Sequence, residues 1–391
     1  MFWASLAILV YTYFGYALIL YFVNTFNNKK KLLVSQDTKP PVTLIVPAFN
    51  EQLCIEAKIN NCFNLNYPDD KLQFIFITDG STDGSNFLIS EHSRIKLLFE
   101  PERKGKMAAV NRATQWVTTP IVIFSDANSL LNKDCINQIV QHYTDRKVGG
   151  VAGEKKIDFL KSQSAIGLGE GIYWKYESAL KQLDSDFNSV VGAAGELFSM
   201  RTSLFVPQNE NVILDDFILS MNICLQGYKV AYEPNAYAVE APSADLAEER
   251  KRRVRIAAGA FQSLFKLGIL FNIARYPLLS FQYISRRVCR WVFCPVALVV
   301  LYLSNAWLLL IHPSSLPAYF FLVQHVFYLF AFLGWLFYRM QIRFSWFFIP
   351  FYFVFMNVSL VQGFVRFITG SQPVKWDKSN RTLSGTHAER L

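Results

Sequence analysis

Charge is scarce in this 391-residue chain. Asp, Glu, Lys and Arg together make up 18% of it, while 52% of the residues are hydrophobic. Three stretches carry none of the four at all: residues 1–28, 291–338 and 344–365. A wholly soluble protein is excluded, because crossing a bilayer takes ~20 apolar residues and these runs supply them. Cysteine is sparse too. The six (Cys54, Cys62, Cys135, Cys224, Cys289 and Cys294) form no CxxC pair and no Cys/His metal spacing. They read as small buried hydrophobes rather than a redox or zinc centre. Two glycine patterns are also missing: neither GxGxxG nor GxxxxGK[ST] follows the first strand-like run. Hydride transfer on a dinucleotide fingerprint and a standard ATPase are thereby disfavoured. The net charge of +9 is mostly accounted for by the flanks of the apolar runs and by "RKRRVR" (250–255), so it requires no nucleic-acid partner.

Residues 1–28 lack basic residues ahead of the apolar run and a small-residue cleavage site, so they read as an uncleaved transmembrane helix. The basic run "NNKKK" (27–31) follows it, and "SRRVCR" (285–290) precedes the next apolar region. Positive flanks stay inside, which places residues 39–264 in the cytosol as a globular domain, where thiols stay reduced. The expected order is then an amphipathic interfacial segment (265–290), a C-terminal membrane region (291–369) and a polar tail (370–391). In that membrane region, 291–338 crosses twice around "HPSSLP". The run 344–365, which contains Pro350, Asn357 and Gln362, either crosses, lies along the interface or lines a polar path. A multi-pass protein of the cell (cytoplasmic) membrane is expected. Its topology carries a tension: four crossings put "KWDKSNR" (375–381) outside, where its charges do not favour it.

Within 39–264, "VTLIVPAFNE" (42–51), "FIFITDGSTDG" (74–84) and "IVIFSDAN" (121–128) share one scheme: an apolar, β-branched run that ends in polar turn residues. Pro47 is expected to end the first strand. Residues 52–65 and 104–117 have helical apolar spacing. Apolar strands alternating with helices predict a parallel α/β sheet covered on both faces, with ligands beyond the strands' carboxyl ends. Asp79 and Asp126 both end strands there. A single Asp in a turn is commonplace. Two at one sheet edge, with the Asn128 amide, suit a hard cation, Mg²⁺ or Mn²⁺, that takes one or two protein oxygens and fills its shell with phosphate and water. "EPERKGKMAAVNRA" (100–113) adds Lys104 and Lys106, which either reach a diphosphate or simply solvate a helix start.

These motifs resemble the membrane-embedded family 2 glycosyltransferases, relatives of cellulose, chitin, hyaluronan and poly-N-acetylglucosamine synthases. The resemblance also takes in "GEGIYWKYE", "GAAGELFSMR", "LDDFILSMNICLQGYKVAYEPNAYAVE" and "KRRVRIAAG", in the family's order and across nearly the whole chain. It implies a GT-A (Rossmann-like) fold and an inverting, metal-dependent transfer from a nucleotide sugar, most simply a uridine diphosphate sugar. The acceptor would be a polysaccharide or a lipid-linked molecule at the bilayer. It further implies that Pro47, Phe49, Glu51 and Asp79 form the base pocket, with Asp79 accepting from a uracil N–H. Asp126 and Asn128 would hold the metal, the latter in place of the family's second acid, and Lys106 would lie near the diphosphate.

"LDDFILSMNICLQGYKV" (214–230) reads as one helix whose two leading acids equally suit a helix N-terminus. The resemblance makes Asp216 the catalytic base and Asp215 its neighbour. "ERKRRVRIAAG" (249–259) stands where polymer-making relatives carry Gln/Arg–x–x–Arg–Trp. Arg252 and Arg255 fit diphosphate contact, since a guanidinium grips phosphate with paired donors; a basic membrane-facing helix is the plainer alternative. Ile256 replaces the Trp that stacks on the acceptor sugar, which leaves chain extension with export and a single transfer both open. A second class of protein, a transporter or scaffold with a nucleotide-sensing α/β domain, would not need Asp216 together with Asp126.

Overall fold

The computed structural model describes residues 1–26, 39–157, 165–311, 315–340, 342 and 345–373. The basic run at 29–31 and the tail from 374 lie outside the described residues. Two compact units are distinguished. One contains 28–161 and 174–244; the other contains 1–27, 162–173 and 245–372.

The second of these opens the chain. Helix α1 (Phe2–Val10) passes through a π-helical turn, Tyr11–Gly15, into α2 (Tyr16–Phe26). The α/β unit follows, with β1 (Val42–Ala48), α3 (Gln52–Phe63), β2 (Leu72–Asp79), α4 (Ser85–Ser90), β3 (Ile95–Glu100), α5 (Lys106–Thr114), β4 (Ile121–Phe124), β5 (Ser129–Leu131), α6 (Cys135–Gln141) and β6 (Val148–Ile157). It continues through most of α7 (Ala165–Phe187) to β7 (Phe198–Arg201), α8 (Asp215–Leu225) and β8 (Lys229–Glu240). The eight strands make one sheet in the order β3-β2-β1-β4-β7-β6-β8-β5.

β2-β1-β4 is the parallel α/β sheet expected from sequence, β3 extends it in parallel, and β6 and β8 also pair parallel. β7 runs antiparallel to both β4 and β6, and β5 antiparallel to β8, so the sheet is mixed. β1 is buried at every position, as a strand covered on both faces must be. α3 buries Ile55, Ile59 and Cys62 at helical spacing against the sheet.

Two boundaries differ from the sequence reading. Pro47 lies inside β1, opposite Ile77 of β2. Ile45 accepts the Ser125 N–H on the β4 side, and period-two alternation aims Pro47 to that same side. There β4 pairing has already ended at Ile45, so the missing N–H deprives no partner. The helix read over 214–230 stops at Leu225. Gly227 then adopts φ +88°, and Lys229 begins β8. The left-handed glycine is a helix C-terminal signal that "QGYKV" carried in plain view.

The chain then returns to the unit that holds α1 and α2 through α9 (Leu246–Lys266), α10 (Pro277–Tyr283), a π-helical stretch Ile284–Phe293, α11 (Cys294–Ile311), α12 (Ser315–Arg339) and α13 (Ser345–Ile368). α9 belongs to this unit rather than to the α/β domain where residues 245–264 were expected. Its fully buried Glu249 accepts from Arg253 Nε at 2.6 Å and Tyr352 Oη of α13 at 3.0 Å. Among the described residues, four helical stretches are long and apolar enough to cross a membrane: Phe2–Phe26, Pro277–Ile311, Leu316–Arg339 and Trp346–Ile368. The expected 290/291 boundary thus falls inside one continuous helix.

α13 and α9 meet at Gly363, where a Cβ would collide with Ala257 Cβ and lie 2.8 Å from both Ala258 N and Val254 O. Small residues permit such close backbone approach. Gly363→Val is expected to push the two helices apart and lower the Tm of the detergent-solubilised protein by several degrees, whereas Gly370→Ala, at a position with open space, separates local strain from packing.

Candidate active site

The carboxyl ends of β2, β1 and β4 are neighbours in the sheet, so the loops leaving them share one edge. The loops after β1 and β2 interlock. Asn50, at φ +52°, donates its N–H to Ser81 Oγ at 3.0 Å and accepts from the Thr82 N–H at 2.8 Å. Asp83 accepts from the Gln52 N–H and Ser85 Oγ from the Glu51 N–H, so the turn after β2 caps the start of α3.

A cleft beside this knot is lined by Pro47, Phe49, Asp79, Arg103, Gly105 and Lys106. The Arg103 guanidinium lies 3.8 Å from the Phe49 ring centroid, a cation–π contact. Asp79 is buried and its two oxygens accept the N–H groups of Lys104 (3.1 Å) and Gly105 (2.6 Å). In this geometry Asp79 fastens the 103–105 loop at the mouth of α5, work that the base-pocket expectation did not foresee. Gly80, at φ +69°, is forced by the same closure, because a Cβ would stand 2.7 Å from Arg103 Cβ. Glu51 is buried, accepts the Cys54 thiol at 3.1 Å and is not among the residues lining this cleft.

An adjoining cleft is lined by Pro47, Lys106, Asp126, Gly195, Asp215 and Asp216, with Phe124 stacked on Phe198 behind them. Lys106 belongs to both clefts. Its ammonium donates to Asp126 Oδ1 at 2.8 Å and lies 3.4 Å from Asp215 Oδ2. Burial opposes that charge, yet Asp126, Asp215 and Asp216 outweigh it and hold the ammonium well above its ordinary range. Asp216 behaves oppositely. Burial first, and then the Asp215 charge, push its carboxyl up to about 7, against the pull of Lys106. It accepts the Phe217 N–H at 2.8 Å at the first turn of α8.

Asp79, Asp126 and Asp216 therefore all stand in these two clefts, joined by Lys106. Asp215 and its neighbour Asp216 both line the second cleft. Gly195 was missed. A Cβ there would lie 3.2 Å from Lys106 Nζ and 3.4 Å from Asp216 Oδ2. Beside it Glu196 pairs with Lys155, a fully buried lysine that also binds Glu240. Arg252 and Arg255 lie on α9 in the other unit, where Arg252 Nη2 pairs with Glu249 Oε2 at 3.0 Å.

Among the described residues, no three His, Cys, Asp or Glu side chains converge as a ready-made metal cage. The donor chemistry fits a hard cation that keeps phosphate and water in its shell. Asp126 gives one anionic oxygen at the β4 end, Asn128 stands two residues on in the same turn, and the cleft holds more carboxylate than the one ammonium offsets.

Residues 43–205 match the family model described as Glycosyl transferase family 2. Over 286 residues the chain is 26% identical to the poly-beta-1,6-N-acetyl-D-glucosamine synthase of Staphylococcus aureus, a match that covers 70% of this chain and 67% of that protein. It is 27% identical over 211 residues to the beta-monoglucosyldiacylglycerol synthase of a Nostoc species, covering 50% and 43%. The solved mannosyltransferase PcManGT of Pyrobaculum calidifontis, in complex with GDP-Man and Mn²⁺, superposes with a TM-score of 0.69 at 23% identity, over 93% of this chain and 97% of that one.

Lys106→Met removes the cation from among three carboxylates and is expected to cost about 3–5 kcal/mol. The deficit has a pH sign. Without Lys106 the folded-state pKa of Asp216 climbs further above its unfolded value, so stability falls as pH rises through that interval. Melting curves should show a larger gap from the parent at pH 8 than at pH 5; a pH-independent gap contradicts the assignment.

Proposed function

Because residues 43–205 form a family 2 glycosyltransferase domain, we propose that the protein transfers a sugar from a nucleotide diphosphate donor to a glycan or lipid-linked acceptor in one inverting displacement. Asp216 is the general base. The observation that carries this reading is a buried carboxylate raised to about 7 in the cleft that also holds Asp126 and Lys106. A base works best with its pKa near the operating pH, and few structural roles ask for a carboxylate so expensive to ionise.

The donor's base and ribose would occupy the Phe49–Arg103 cleft and its diphosphate the ground around Lys106. The sugar would then point toward Asp216. Asp126 and Asn128 would hold Mg²⁺ or Mn²⁺, which when bound offsets the charge gathering on the departing diphosphate. Lys106 shares that task through fixed positive charge in a water-poor site. Asp216 takes the proton from the acceptor hydroxyl as that oxygen attacks the anomeric carbon. Asp215 keeps Lys106 in place. No protein nucleophile is required. A role for Arg252 and Arg255 at the diphosphate would have to compete with the Glu249 carboxylate that Arg252 already binds.

The bilayer enters through the four apolar helices, and the basic flanks favour the cytosolic side for the α/β unit. Of the two relatives, one makes a polysaccharide and the other a glycolipid, and Ile256 leaves the acceptor position without a stacking ring. Chain extension with export and single transfer are therefore both retained. Sizing the product decides between them. A nucleotide sensor on a transporter or scaffold is the reading from another class; it gives Asp216 nothing to do.

The test is a screen of uridine and guanosine diphosphate sugars with Mg²⁺ or Mn²⁺ on the lipid-embedded protein. Asp216→Asn should lower kcat by ~10²–10⁴-fold while leaving donor affinity unchanged. In the parent, kcat should rise with pH through about 7 as Asp216 ionises. Full turnover in Asp216→Asn, or a rate falling across that interval, would reject Asp216 as the base.

A further inference from the structure

Lys58 is fully buried on the core face of α3, between Ile55, Ile59 and Cys62, which pack against the sheet. Burial pulls the ammonium of Lys58 below its ordinary range, and such a group is costly to hold unless fixed acceptors meet it. Two do. Lys58 Nζ donates to Ser125 Oγ and to the carbonyl oxygen of Ser129, each at 2.7 Å. These acceptors sit at the two ends of the five-residue turn that carries Asp126 and Asn128. The turn is drawn together from within as well: the Ser129 hydroxyl and N–H both donate to the Asp126 carbonyl, at 2.9 and 3.3 Å. Ser125 Oγ, having accepted from Lys58, donates onward to the Glu196 carbonyl at 2.9 Å. That bond ties the turn to the loop whose Gly195 backs Lys106 and Asp216.

We propose that Lys58 is a positioning residue for the transfer, a buried clamp that sets the backbone of residues 125–129 and so aims Asp126 and Asn128 at the cation on the donor diphosphate. The proposal rests on the donor-site reading above. Lys58 touches neither donor nor acceptor; it acts through the turn. A leucine at 58 would serve the core at least as well, so stability alone gives no reason for a lysine there. Two well-aligned bonds to both ends of a short turn do. Among metal sites in general, groups that orient the ligands are worth about 10–100-fold in affinity or activity.

The experiment uses the full chain in lipid nanodiscs and compares the parent with Lys58→Met, which keeps the stem and removes the donors. Mn²⁺ binding is read by the electron paramagnetic resonance of free Mn²⁺, with nucleoside diphosphate present and acceptor absent. Steady-state kcat, donor KM and Tm are measured alongside. Lys58→Met should weaken Mn²⁺ binding and lower kcat by about tenfold or more, with Tm within a few degrees of the parent. A drop in Tm with Mn²⁺ affinity and kcat preserved would make Lys58 merely structural and overturn the proposal, as would no change at all. If Lys58→Met does not fold, Ser125→Ala, which takes away one acceptor and leaves Lys58, carries the same reading. Unchanged Mn²⁺ affinity there overturns the clamp. A parent that neither binds Mn²⁺ nor turns over any sugar nucleotide removes the donor-site reading, and the clamp falls with it.

Discussion

The Lys106 ammonium sits where two chain segments, carrying three carboxylates, would otherwise repel one another. Asp126 arrives from the end of β4, and Asp215 and Asp216 from the start of α8. Without a cation in their midst these carboxylates could not share one water-poor cleft. With one, they are held close at a controlled excess of negative charge. Burial first, and then that excess, push the Asp216 carboxyl up to about 7, while the carboxylates hold Lys106 charged. An ion pair at that depth is a poor way to gain stability; it is better understood as a poised site.

Around this centre the fold spends its irregular backbone on the loops after β1 and β2. Asn50 and Gly80 both lie at positive φ, and Asp79 and Asp83 give their oxygens to N–H groups of neighbouring loops. The result is a rigid rim in which Phe49 and Arg103 stack at the entrance. The other unit is organised by its own buried charge, Glu249 with Arg252, Arg253 and Tyr352. That network binds α9 to α13, which is why α9 sorts with the apolar helices despite its run of basic residues.

Much of this was legible in the sequence. The apolar runs ending at Asp79 and Asp126 stand out because buried parallel strands are written almost without polar interruption, and the order of motifs carried the family. Pro47 misled because proline is usually read as a strand's end, and only the early stop of β4 makes it harmless. β3, β5, β6, β7 and β8 went unread: three or four residues of β5 or β7 carry no periodicity, and a partner strand far away in sequence leaves no local mark. Lys58 illustrates a subtler loss. Its spacing with Ile55, Ile59 and Cys62 put it on the core face, but a lone lysine on a helix is ordinarily taken for its solvent side. Asp79's grip on Lys104 and Gly105 required knowing where the 103–105 loop folds back.

The central claim is that the cleft around Lys106 is where the donor's diphosphate and its cation meet the base. A structure of the lipid-embedded protein with Mn²⁺ and a non-transferable nucleotide sugar tests it most directly. The account predicts the cation on Asp126, diphosphate oxygens within hydrogen-bond reach of Lys106, and the anomeric carbon on the side of Asp216. A nucleotide bound away from the β2-β1-β4 edge, or with its sugar turned from Asp216, would contradict it.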